Sequence, residues 1–280
     1  MNKISLVMAT VGRVHEVEAF INTLEKQKFS NYELIIVDQN THYLLEEIYE
    51  KYKDKIKIKY IRSEKKGLSL NRNIGIKYVT GNIIAFPDDD CEYDEDTLLN
   101  VDQYFNNNDK EIYCCKVVDK NTGAKFGKTS DLNEMLAFNN IMKNCVSISI
   151  FIKFKNIEHI KFDEKLGAGT YFGSGEESDL IFKLLHYDYK GDYFSDKVVF
   201  HPARNDDNPS IENNNKDSLG LGALMKKEIY YRKNYKLIIF FISRLFRPAV
   251  GCIIKPKKSK FYMESIKYRV KGYLEYEQRE

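Results

Sequence analysis

Apolar residues in the first third of the chain follow two alternating patterns. Ile4-Ser5-Leu6-Val7-Met8 is a compact run suited to a strand, and Val14, Val17, Phe20, Ile21 and Leu24 then fall at helical spacing. The unit repeats as Glu33-Leu34-Ile35-Ile36-Val37, ended by Asp38, and a helical pattern through Leu44, Leu45, Ile48, Tyr49 and Tyr52. Ile56, Ile58 and Tyr60 alternate as in a third strand. Ser69 to Val79 reads as a helix stopped by Gly81, and Ile83-Ile84-Ala85-Phe86 as a short buried strand halted by Pro87. Runs such as Ile35-Ile36-Val37, without polar alternation, are expected where helices cover both faces of a sheet. The order predicts an α/β fold with a Rossmann-like, mostly parallel sheet and helices on both faces. Ligands of such sheets bind beyond the carboxyl ends of the strands, where this sequence puts Thr10, Asp38 and Asp88-Asp89-Asp90.

Beyond residue 110 the pattern loosens, with Tyr113 to Val118 and Ser147 to Phe154 as the better strand candidates. Residues 205–220 begin with a polar, turn-rich stretch and are read as a flexible loop. The expected organisation is a catalytic domain over 1–204, with halves at 1–110 and 111–204, then this loop, then a basic amphipathic segment over 221–280.

Charge sharpens that last boundary. The whole chain carries a net +3, but residues 221–280 hold 15 Lys and Arg against 5 Glu. The stretch from Leu237 to Ile254 is apolar yet interrupted by Arg244, Arg247, Pro248 and Gly251, whereas a spanning helix needs about 20 cleaner residues. With lysines on both sides it suits an element lying on an anionic lipid surface, possible contact being expected through 221–260; a core helix with a solvated basic face is the plainer alternative. The first apolar run is too short for a signal peptide. The five cysteines, with no Cys-x-x-Cys pair, suggest neither a disulfide framework nor a zinc site and fit a reducing compartment.

Asp88-Asp89-Asp90 directly after a buried strand sets carboxylates side by side, a costly arrangement unless a cation lies between them. A hard divalent ion such as Mn²⁺ or Mg²⁺, shared with a diphosphate, would supply it; an acidic turn leading into a helix is the alternative. Four segments occur in order: Ser5 to Arg13, Ile35-Ile36-Val37-Asp38, Gly67 to Gly75 (containing Arg72-Asn73) and Ile84 to Asp90. With Gly173-Ser174-Gly175-Glu176-Glu177-Ser178-Asp179-Leu180 and His201-Pro202 they resemble the family 2 glycosyltransferases of the GT-A fold, of bacterial polysaccharide type, over roughly residues 1–204.

The resemblance implies an inverting enzyme that moves a sugar from a nucleotide diphosphate donor, expected to be a UDP-sugar, to an acceptor hydroxyl of a glycan or lipid-linked oligosaccharide. It implies that Thr10 and Asp38 hold the nucleobase, with Arg13 beside the donor. Arg72 and Asn73 would lie near ribose and diphosphate, and Asp88 or Asp89 would reach the ribose or a metal-bound water. Asp90 matches the direct metal ligand, with Asp88 and His201 as further ligand candidates. In the glycine-rich entry to a helix, Glu177 matches the general base and Glu176 is the next candidate, although acids there also satisfy the helix dipole. The site is expected on the cytoplasmic side, peripheral to the plasma membrane. A sugar-phosphate nucleotidyltransferase would need a basic glycine-rich loop that Thr10-Val11-Gly12-Arg13 matches poorly, and a non-catalytic membrane-associated glycan-binding protein would not need these acids. Nucleic acid is not an expected partner, because the acidic pocket suits a metal–diphosphate rather than a polyanion.

Overall fold

The computed structural model describes residues 1–127, 129–202 and 210–278. In chain order it runs β1 (Ile4–Thr10), α1 (His15–Leu24), β2 (Tyr32–Asp38), α2 (Glu46–Tyr52), β3 (Ile58–Arg62), α3 (Leu68–Ile76), β4 (Ile83–Ala85) and α4 (Thr97–Asn107). There follow β5 (Ile112–Val118), β6 (Glu134–Met135), α5 (Ile141–Asn144), β7 (Ile150–Lys153), α6 (Glu176–His186) and β8 (Gly191–Phe200). Three helices close the chain: α7 (Ile211–Lys226), α8 (Leu237–Ile254) and α9 (Ser259–Glu275).

Among the described residues, eight strands form one sheet in the order β3-β2-β1-β4-β7-β5-β8-β6. β3, β2, β1 and β4 are parallel, as the unalternated apolar runs require, while β7 enters antiparallel between β4 and β5. Side-chain alternation divides β1 and β2 between two cores. Ile4, Leu6, Met8, Leu34 and Ile36 pack with α1 and α4 on one face, and Val7, Ile35 and Val37 lie in the core on the other. Burial on both faces therefore replaces the polar half of each strand with a second apolar set.

β2 lies on one side of β1 and β4 on the other, so the chain changes direction across the sheet at β1. That opens a crevice beyond the carboxyl ends of β1 and β4, the usual ligand position in such sheets.

The loop expected over 205–220 needs correction. Residues 203–209 lie outside the described residues, but from Ile211 the chain is helical. The Ser210 hydroxyl caps α7 by accepting from the Asn213 amide at 3.0 Å. The asparagine-rich stretch occupies the first turns, and Leu219, Ala223, Leu224 and Met225 supply the buried face. A polar beginning concealed an amphipathic helix.

Candidate active site

Thr10 and Asp38 end neighbouring strands in register. Asp38 is completely buried. Its Oδ1 accepts from the Asn40 backbone amide at 2.8 Å and side-chain amide at 2.7 Å, and its Oδ2 accepts from the Tyr60 hydroxyl at 2.6 Å. Asn40 in turn accepts from the Gly12 amide at 2.6 Å, tying the loops after β1 and β2 together.

The acidic run follows β4 into a turn. The Thr10 hydroxyl donates to Asp89 at 2.6 Å and the Arg13 guanidinium to the other Asp89 oxygen at 3.1 Å. Arg13 also pairs with Asp90. Burial pushes the Asp89 carboxyl above its ordinary range, despite the hydrogen bond from Thr10 and the charge of Arg13. Burial also opposes ionisation of Asp90, but hydrogen bonds from His201 and Arg13 overcome it and bring that carboxyl down to about 2.

A two-residue bridge explains why His201, more than a hundred positions away, meets this turn. Glu92 and Phe200 exchange backbone hydrogen bonds at 2.9 Å, which sets the residues before Glu92 beside those after Phe200. His201 Nε2 lies 3.2 Å from Asp90 Oδ1, while Nδ1 is 2.8 Å from the Pro202 carbonyl. Burial works against the imidazolium, but Asp90 more than offsets it, so the His201 pKa is raised.

Arg72, on α3, lies between this turn and α6. Its Nη2 donates to Asp88 Oδ1 at 2.8 Å and its Nη1 stands 3.6 Å from Glu176 Oε1. The guanidinium has no exposed surface and lies 5.8 Å and 5.3 Å from the ring centroids of Phe86 and Phe162. Glu176 opens α6 after Gly175, whose φ of +92° is a left-handed conformation that favours glycine. The preceding loop docks on the start of α3: the Leu68 amide donates to the Ala168 carbonyl at 3.0 Å and the Ser69 hydroxyl to the Leu166 carbonyl at 2.6 Å. Burial raises the Glu176 carboxyl, with Arg72 pulling the other way. Burial and then the Glu176 charge raise Glu177 well above the ordinary glutamate range.

A second ionic cluster braces α6 from behind. Lys227, buried after α7, donates to Asp163 at 2.6 Å and to Asp179, in the first turn of α6, at 2.8 Å. Arg232 reaches Asp179 at 2.8 Å and Glu228 at 2.5 Å.

Thr10, Arg13, Asp88, Asp89, Asp90, His201, Arg72 and Glu176 thus form one contact network, with Glu177 next in α6. Asp38 joins it through the register of β1 and β2; its Oδ1 already accepts two hydrogen bonds and its Oδ2 accepts one, from Tyr60. Arg72, expected near the donor's ribose and diphosphate, is sealed from solvent and lies between Asp88 and Glu176. Asn73 stands outside the network: its amide accepts from the Phe162 backbone amide at 2.8 Å and donates to the Phe162 carbonyl at 2.9 Å, clamping that segment. Tyr60, Asn40 and Lys227 were not singled out from sequence. Only Tyr60, on the strand beside Asp38, carried a positional signal.

One oxygen each from Asp88 and Asp90 and one ring nitrogen of His201 lie within 4.8 Å of one another. Two carboxylates and an imidazole form a donor set suited to a hard or borderline divalent ion. The His201 geometry agrees, since Nδ1–H donating to Pro202 leaves Nε2 as the nitrogen beside Asp90, where a cation would replace the proton it shares with that carboxylate.

The family model described as "Glycosyl transferase family 2" matches residues 5–170. Over 164 residues the chain is 30% identical to "Minor teichoic acid biosynthesis protein GgaB" of Bacillus subtilis (strain 168), covering 55% of this chain and 18% of that protein. Over 150 residues it is 27% identical to "UDP-Glc:alpha-D-GlcNAc-diphosphoundecaprenol beta-1,3-glucosyltransferase WfgD" of Escherichia coli, covering 51% of this chain and 56% of that protein. The chain therefore spans less than two thirds of either relative. Its fold matches the crystal structure of S. aureus TarS 1-349 in complex with UDP-GlcNAc with a TM-score of 0.68, at 18% identity, over 97% of this chain and 81% of that one.

Proposed function

The chain belongs to glycosyl transferase family 2, and from that premise we propose that it is an inverting transferase carrying a sugar from a UDP-sugar to a hydroxyl of a surface glycan or lipid-linked oligosaccharide. The observation that carries this reading is the juxtaposition of Asp88, Asp90 and His201 with Glu176 across the buried Arg72. The names of the similar proteins support the donor: one uses UDP-Glc, and another was crystallised with UDP-GlcNAc. The β linkage in the WfgD name supports inversion, because UDP-glucose is an α-glycoside.

Asp88, Asp90 and His201 would hold Mn²⁺ or Mg²⁺, which when bound supplies positive charge for the departing diphosphate. Arg13, half-exposed beside Asp89 and Asp90, adds a guanidinium that can meet phosphate oxygens. Thr10 fixes Asp89, and Arg72 keeps Asp88 and Glu176 in place. Glu177 takes the proton from the acceptor hydroxyl; that oxygen bonds to the anomeric carbon as the bond from this carbon to the diphosphate oxygen breaks on the opposite face. Glu176, held by Arg72, is the alternative base. The reaction is placed on the cytoplasmic face of the plasma membrane, where the chain is peripheral.

The test is UDP release from UDP-glucose and UDP-GlcNAc with a lipid-diphosphate-linked GlcNAc acceptor, with and without Mn²⁺. Transfer that needs the ion and yields the β anomer supports the proposal; a retained α anomer or ion-independent transfer contradicts it.

A further inference from the structure

α8 turns an apolar stripe to solvent. Ile239, Ile242, Phe246, Ala249 and Ile253 recur every three or four residues, so they lie along one side of the helix, and all five are exposed. Ile239 is 79% and Ile253 82% accessible, which distinguishes this face from a core helix with its apolar side turned inward. The opposite side is fixed to the protein. Leu237 is buried, Phe241 stacks on Tyr273 of α9 at 5.3 Å, and Arg269 of α9 donates to the Arg244 carbonyl. α9 is pressed against α7 so closely that a Cβ at Gly272 would collide with the Leu219 carbonyl. The stripe thus sits on a rigid support joined to the rest of the fold.

Charge identifies the occupant. From residue 229 to 263 the chain has nine Lys and Arg and no Asp or Glu. Lys236 is exposed just before α8 and Arg247 on it, and Lys255, Lys257, Lys258 and Lys260 are exposed just beyond its end. A second copy docked on the stripe would bring two such basic surfaces together, with no acid in the segment to relieve them. An anionic lipid surface offers apolar depth to the isoleucines and phosphate to the lysines. α8 is roughly 27 Å long, enough to approach a bilayer's hydrocarbon thickness. Yet Arg244 and Arg247 interrupt it and one side is committed to α9, so it fits lying in the interface rather than crossing.

We propose that the exposed stripe of α8 and the lysines at its end form an interfacial anchor for anionic phospholipid, holding the domain against the membrane with α8 parallel to the surface. This gives a specific surface and partner to the peripheral placement proposed above, and it stands independently of sugar transfer. The experiment is co-sedimentation of the full chain with vesicles of phosphatidylglycerol mixed with phosphatidylcholine, against phosphatidylcholine alone, with light scattering of the vesicle-free protein. The expected result is binding to the anionic vesicles only, weakened by salt. Phe246→Asp combined with Ile253→Asp should abolish it, and Lys255→Glu with Lys257→Glu and Lys258→Glu should weaken it on the order of 100-fold. These side chains are exposed, so unchanged circular dichroism will show that the variants fold. Failure to bind, equal binding to both vesicle types, or variants that bind as well as the parent chain would overturn the proposal. So would an oligomer that Phe246→Asp dissociates in the absence of vesicle binding, which would assign the stripe to a second copy. None of these readouts requires turnover, so the anchor and the transferase reading fail separately.

Discussion

Arg72 donates to Asp88 at 2.8 Å from a position with no solvent exposure, and the same guanidinium faces Glu176 at 3.6 Å. One buried cation thereby spaces the strand-end acids from those of α6. Among the described residues its Nε and Nη1 have no hydrogen-bond partner, so the group is held by the Nη2 bond to Asp88, by charge and by the rings of Phe86 and Phe162. Removing one partner of a buried ion pair leaves the other charge uncompensated, at a cost of about 3–5 kcal/mol. Asp88 is 35% exposed, so solvent screens part of that cost, and Arg72→Met should lose less, about 1–3 kcal/mol, by urea denaturation. Arg72→Lys, lacking the planar fork, should recover only part of it.

The raised carboxyls of Glu176 and Glu177 give opposite signs for stability and rate. A base must be ionised, so the rate at limiting substrate should climb with pH through a value above the ordinary glutamate range. A folded-state pKa above the unfolded one contributes stability in acid that is lost as pH rises through the folded value, so ionising Glu177 weakens the fold. Glu177→Gln should therefore lower turnover by about 10²–10⁴-fold while raising the melting temperature at neutral pH. Glu176→Gln should retain more activity. The reverse ranking would transfer the role of base to Glu176.

Lys227 stands between the half-buried carboxylate of Asp163 at 2.6 Å and the buried one of Asp179 at 2.8 Å. Lys227→Met keeps most of the volume and takes the shared cation from both acids, leaving Asp163 only the Tyr276 hydroxyl and the Lys165 amide as donors. Arg232 still reaches Asp179, so a loss of about 3 kcal/mol is expected in chemical denaturation. Adding Asp163→Asn should restore part of it, since that position would no longer hold a charge without its cation.

Much of the first half of the molecule was legible because its signals are local. Burial on both faces leaves β1 and β2 continuously apolar, and an acid at the end of such a strand is conspicuous. The fate of those acids was less readable, because it depends on partners distant in the chain. His201 meets Asp90 through the Glu92–Phe200 bridge, and Asp179 meets Lys227 across 48 positions. Arg72 resembled a surface or phosphate-binding arginine, since nothing nearby announces that Phe86 and Phe162 enclose it. Asn73 likewise has no local mark of its clamp on Phe162. α7 was hidden because its first turns are polar, with Asn214 and Asn215 meeting Ser265 and Glu264 of α9 through hydrogen bonds rather than apolar contact, and its apolar face begins only at Leu219.

On the proposed function, Asp88, Asp90 and His201 jointly hold the ion through which the chain grips a nucleoside diphosphate. The most direct test is calorimetric titration of UDP into the full chain with and without Mn²⁺, repeated with Asp90→Ala. Mn²⁺ should strengthen UDP binding at least roughly tenfold in the parent chain and have no such effect in the variant. Mn²⁺ strengthening UDP binding equally in Asp90→Ala and the parent chain would contradict it.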